Sequence, residues 1–176
     1  MIDTSVVQKT QEKPSQDVSE PMARPRFLVV GYGSDTEGDG TVGLQIANRV
    51  SAWKIPSLTS ISTYRLTPDL VHNLAAVDYV FFVSLCHRSN HAQTLQIEPI
   101  FASGNSSSTH LYTPITLLKL TQQLYGRSPQ AWLLQVPAGS TNRDQGLSST
   151  AQKGLDRALR TIEQFLVIYQ QPPTII

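Results

Sequence analysis

The sequence predicts a three-layer α/β/α domain with a mostly parallel sheet of about five strands. Three observations carry this. Phe27–Val30 is a continuous apolar run and Tyr79–Leu85 a nearly continuous one, both too short to be helices, as expected of strands buried on both faces. The stretches between such runs carry apolar residues at helical spacing. Strand and helix patterns alternate along the chain, which favours parallel strands joined by crossover helices.

Taken in order, residues 1–25 are polar and aperiodic and read as a disordered arm. The domain spans residues 26–170, and 171–176 form a frayed tail. After the strand Phe27–Val30, the residues Val42, Ile46, Val50 and Trp53 mark one stripe of a helix over Val42–Trp53. Leu58–Tyr64 alternates as a second strand. Thr67 stands at an N-cap position with Pro68 at the first helical position, predicting a short helix to Ala76 that turns Leu70, Val71 and Leu74 inward. Tyr79–Leu85 is the third strand and Leu95–Phe101 the fourth. Thr113 or Thr109 caps a helix over Pro114–Leu124, with Ile115, Leu118 and Leu124 as its apolar face and Gly126 as its stop. Ala131–Val136 is the fifth strand. Pro137–Gly146 is a polar loop, and Ser148 caps a long final helix over Ser149–Tyr169.

The bulk numbers exclude several classes of function. A net charge of +1 sets up no field that would gather nucleic acid or an anionic membrane. The single cysteine, Cys86, forbids an internal disulfide or a multi-cysteine metal cluster. No apolar stretch is long enough to span a bilayer, and the N-terminus lacks a secretory apolar block, so a cytoplasmic protein is expected.

In open α/β sheets, ligands sit beyond the carboxyl ends of the strands. Gly31–Gly40, Ser84–His91 and the loop holding His110 all belong to that edge. Gly31-Tyr32-Gly33 is not a dinucleotide loop, because Thr36 stands where the third glycine belongs. It is not a phosphate loop either: no lysine follows Gly38 or Gly40, and Asp35, Glu37 and Asp39 would repel a pyrophosphate. Two readings remain. The glycines permit a tight strand-to-helix turn with solvated acids, or the acids join a histidine around a cation.

The same residues resemble the hydrogenase maturation proteases, which trim the large subunit of nickel–iron hydrogenases. The resemblance rests on Gly31, Gly33, Ser34, Asp39, Gly40, Thr41 and Gly43, on the stretch YRLTPDLVHNLAAVDYVFFVS, on His110 ahead of a helix, and on Gly146-Leu147-Ser148. It spans Phe27 to Leu166. It implies that fold, a protein partner of the hydrogenase large-subunit type, and nickel supplied by that substrate rather than an intrinsic cofactor. It also implies three metal-sensing positions, which fall on Gly40, Ser84 and His110. Only His110 is a ligand type there. Gly40 has no side chain, and the Ser84 hydroxyl is a poor ligand for a borderline divalent ion.

Asp39 is the nearest acid to the vacant position. Cys86 lies two residues past Ser84, so strand alternation can point both the same way, and Cys86, His110 and Asp39 together would offer sulfur, nitrogen and oxygen donors. A Cys86–His110 nucleophilic pair is a further alternative, without an identifiable orienting residue. Ser84 lacks a nucleophile's glycine-flanked elbow. His87 and His91 share a face only if that stretch is helical. Tyr112 and the loop arginines Arg88 and Arg143 are candidate partner contacts. His72, Trp53 and Trp132 read as packing residues. The expectation is a maturation endopeptidase-like chain lacking two metal-sensing ligands. Its alternatives are a non-catalytic binding or assembly factor and a rebuilt metal site around Cys86 and His110.

Overall fold

The computed structural model describes residues 23–34, 38–86, 94–105, 111–139 and 146–170. Five strands form one sheet: β1 (Phe27–Tyr32), β2 (Leu58–Thr63), β3 (Tyr79–Leu85), β4 (Gln96–Ile100) and β5 (Gln130–Val136). Their spatial order is β2-β1-β3-β5-β4. β1 pairs in parallel with β2 and β3, and β3 with β5, while β4 runs antiparallel along β5 at the edge. The apolar runs at Phe27 and Tyr79 thus belong to the two strands nearest the middle, where both faces need covering.

Strand alternation sorts the core into two halves. Phe27, Val29, Phe81, Val83, Leu134 and Val136 face α1 (Val42–Ser51) and α4 (Ser149–Gln170), whose Val42, Ile46, Val50, Leu155, Ile162 and Leu166 complete that layer. Leu28, Val30, Val80, Phe82 and Ala131 face the opposite layer. It consists of the 3-10 turn Pro68–Leu70, α2 (Val71–Ala75) and α3 (Pro114–Tyr125), contributing Leu70, Val71, Leu74, Leu117 and Leu118. Phe81, Trp132, Phe165 and Tyr169 form a ring cluster on the α4 side, with the Trp132 and Phe165 centroids 4.9 Å apart.

The caps follow their chemistry with one exception. Thr113 and Thr116 form a reciprocal capping box at α3, and Gly126 closes that helix with φ +69°. Ser148 accepts from the Ala151 amide at 3.1 Å. Thr67 does not cap. Its backbone is extended and its hydroxyl instead supports the Asp69 carboxylate, holding that acid below its ordinary range. Leu124 is also not an inward residue. It is 63% exposed, because the buried stripe of α3 runs through Leu117, Leu118 and Thr121.

The glycines of the first turn have a packing role. A Cβ on Gly31 would lie 1.9 Å from the Gly43 carbonyl oxygen and 2.7 Å from Ala47 Cβ. One on Gly43 would lie 2.4 Å from the Tyr32 oxygen and 2.6 Å from that of Val83. The start of α1 therefore rests backbone against backbone on β1 and β3, a separation only paired glycines allow. Gly31→Ala is expected to cost about 3 kcal/mol, since neither backbone can retreat. Gly126→Ala has open space and suffers only its left-handed backbone, about 1 kcal/mol. Urea unfolding followed by tryptophan fluorescence separates the two.

Candidate functional site

The carboxyl edge of the sheet gathers the ends of β1, β3 and β5 with the turn Gly38–Thr41 that opens α1. That turn folds back on β1. The Ser34 amide donates to the Gly40 carbonyl at 3.1 Å, and a Cβ on Gly33 would strike the same oxygen at 2.3 Å. Gly38 takes φ +83°, and Thr41 Oγ1 donates to the Gly38 carbonyl at 2.9 Å.

This fold-back buries Asp39 to 4% exposure and aims its carboxylate at the junction between β5 and α4. Oδ1 accepts from the Ser148 amide at 2.7 Å. Oδ2 accepts from the Gly139 amide at 2.8 Å and from Ser148 Oγ at 2.7 Å. Ser148 Oγ in turn accepts from the Ala151 amide, so Asp39 completes the cap of α4 from 109 residues away. The helix start adds favourable partial positive charge. A Cβ on Gly139 would lie 2.5 Å from Ser148 Oγ, so this loop too needs glycine at its closest approach.

Ser84 is 5% exposed and shares the strand face of Val80 and Phe82, the α2–α3 side. Its hydroxyl faces the Tyr32 phenol, which continues the run Leu28, Val30, Tyr32 on the same face. Burial pushes the Tyr32 phenol above its ordinary value, and the Ser84 hydroxyl partly offsets this. Asp39 and Ser84 thus have different commitments: one to the α4 junction, the other to a tyrosine on the opposite face.

Cys86 continues the β3–β5 ladder, its amide donating to the Val136 carbonyl at 2.7 Å, and carries a half-buried free thiol. Tyr112 and Leu111 precede α3 and are 45% and 66% exposed. Gly40 sits in the turn with its carbonyl taken by Ser34. His110, Arg88, His87, His91 and Arg143 lie outside the described residues, as do Asp35 and Glu37. Among the described residues, no group of three His, Cys, Asp or Glu side chains is placed to hold a metal ion.

The five-stranded order with one antiparallel edge strand, the paired-glycine turn and the helix preceded by Tyr112 together define a specific architecture. The fold is that of the NiFe hydrogenase maturation proteases. The maturation protease HycI from Thermococcus kodakarensis superposes with a TM-score of 0.64 at 22% identity, covering 83% of this chain and 95% of its own. The maturating endopeptidase HybD from E. coli gives 0.63 at 18%, covering 81% and 93%. The hydrogenase 2 maturation peptidase of a Thaumarchaeota archaeon gives 0.60 at 18%, covering 81% and 99%. No family model and no curated protein matches the sequence.

Of the three positions implied by sequence resemblance, Gly40 offers only backbone, Ser84 is neutral, and His110 lies outside the described residues. The Asp39 carboxylate accepts from three donors. Sequence reasoning missed Tyr32 and the Asp39–Ser148 pairing. Period-two alternation from Leu28 and Val30 does put Tyr32 beside Ser84. Nothing local joins Asp39 to Ser148.

Two outcomes follow from this geometry. Asp39→Ala strands two backbone amides and should cost about 3 kcal/mol, whereas Asp39→Asn keeps an acceptor and should cost about half that. Urea midpoints and faster amide exchange at Gly139 and Ser148 check both. Tyr32 sets an alkaline limit. The unfolded phenol titrates near 10.0 and the folded one above it. Its contribution is therefore full below pH 10 and is lost as pH rises through the folded value. Tyr32→Phe should lose stability less steeply above pH 10, read as a flatter dependence of the urea midpoint on pH.

Proposed function

We propose that this chain binds a protein partner of the hydrogenase large-subunit type and does not cut it by a metal-directed route. The observation that carries this reading is the commitment of Asp39, whose carboxylate completes the α4 cap with Gly139 and Ser148. The acid nearest the vacant ligand position thus has a structural duty. Withdrawing it to bind a cation would leave two amides without their acceptor, Gly139 after β5 and Ser148 at the start of a 22-residue helix. The neutral Ser84 at the second implied ligand position supports the same reading from the other face. In this reading the chain works in the cytoplasm as a binding or assembly factor and has no resident cofactor.

The competing reading is the endopeptidase activity named for the structural neighbours, which the shared fold favours. Mixing the full chain with a nickel-loaded large-subunit precursor distinguishes them. The binding reading predicts a stable complex by size-exclusion chromatography, unchanged by chelator, with the intact precursor mass retained. Loss of a C-terminal fragment by mass spectrometry would refute it. Stoichiometric metal in the purified chain, lost with Cys86→Ala or His110→Ala, would instead support the rebuilt site.

A further inference from the structure

A second feature lies on the opposite side of β5 from the sheet centre and goes beyond the reading above. Among the described residues β4 is one edge of the sheet with no further strand beside it, and α4 runs alongside it. The direction of α4 is fixed at both ends. Gly154, near its start, meets Val136 and Pro137 at the end of β5, while Tyr169, near its finish, packs with a tilted ring against Tyr79 and Trp132 toward the start of the strands. α4 is therefore antiparallel to β5 and runs in the same sense as β4.

Between them lie two adjoining hollows of about 330 and 300 Å³, which share Leu95, Arg157 and Arg160. Leu95 and the 43% exposed Ile97 supply an apolar floor. Lys153, Arg157 and Arg160 recur at i, i+4 and i+7 and present an exposed cationic stripe above it. Among the described residues none of the three has an ion pair, the sole pair being Arg127–Asp78. Asp156 is the one acid on the lining, and the Gln152 amide already donates to it at 3.3 Å. Glu98 belongs to the other face of β4, since Ile97 on this face is its neighbour.

We propose that this groove docks an extended acidic segment of a partner protein, laid along β4 with its carboxylates toward α4. The spacing suits it. One face of a strand repeats every ~6.6 Å, while Lys153 to Arg157 rises ~6 Å and Arg157 to Arg160 ~4.5 Å, so acids at alternate positions of the segment come within side-chain reach of the three cations of α4. Among the described residues no strand pairs with the outer edge of Gln96–Glu98, which offers backbone hydrogen bonds, and Pro99 ends the usable stretch because it has no amide to donate. The apolar floor and the net charge of +1 favour a peptide over a nucleic acid.

The test uses the full chain and a fluorescein-labelled decapeptide of alternating glutamate and threonine, with anisotropy at low ionic strength as readout. Saturable binding is expected, with amide shifts at Leu95 and Ile97 in NMR spectra and none with a lysine–threonine peptide. Arg157→Glu with Arg160→Glu should weaken binding about tenfold or more, as loss of two charge pairs implies. Both side chains are exposed, and Arg157→Gln with Arg160→Gln serves if the reversal melts early. Absence of binding, an affinity unmoved by these variants, or tighter binding of a single-stranded DNA decamer through the same arginines would overturn the proposal. No large subunit enters this assay, so its failure leaves the preceding reading intact, and the reverse.

Discussion

One buried carboxylate ties the functional edge of this protein together. Asp39 sits in a single 3-10 turn after β1, yet it holds the amides of Gly139 and Ser148 and the Ser148 hydroxyl. A charge with three donors around it, one of them the cap of a long helix, is among the stronger polar arrangements a small domain can make. The turn Gly38–Thr41, Gly139 and the first turn of α4 are thereby fixed relative to one another.

The same carboxylate also bears on what the edge can do chemically. Asp39 spends three acceptor sites on the α4 side, and the α2–α3 side carries the neutral Ser84 and Tyr32. A divalent ion needs anionic donors turned toward a common point. At this edge the described polar groups instead satisfy one another, and every buried side-chain polar atom among them has a partner.

The fold was legible because its signals are local. Runs such as Tyr79–Leu85 and the stripe Leu155, Ile162, Leu166 record burial directly in residue type, and Thr113, Gly126 and Ser148 mark helix ends through short-range bonds. Leu124 and Thr67 misled for the same reason. Residue type gives the options, but neighbouring packing decides which face of α3 turns inward, and Asp69 competes for the Thr67 hydroxyl. At the site, the glycine pattern and the Gly-Leu-Ser segment were each visible, but their connection was not. Asp39 and Ser148 are 109 residues apart, and only tertiary structure brings them to 2.7 Å.

The glycine turn shows why a shared pattern need not mean shared chemistry. Gly31 and Gly43 are required because α1 touches β1 and β3 through bare backbone. That steric demand holds whether or not the edge binds a metal. The same applies to Gly139 against Ser148 and Gly154 against Val136. These positions record how closely helices lie on the sheet, so they identify a fold and are silent on catalysis. Chemistry has to be read from side chains that packing leaves free to choose. In this chain those residues are a serine where an acid is implied, an aspartate spent on a helix cap, and three cations along the outer face of α4 beside an open strand.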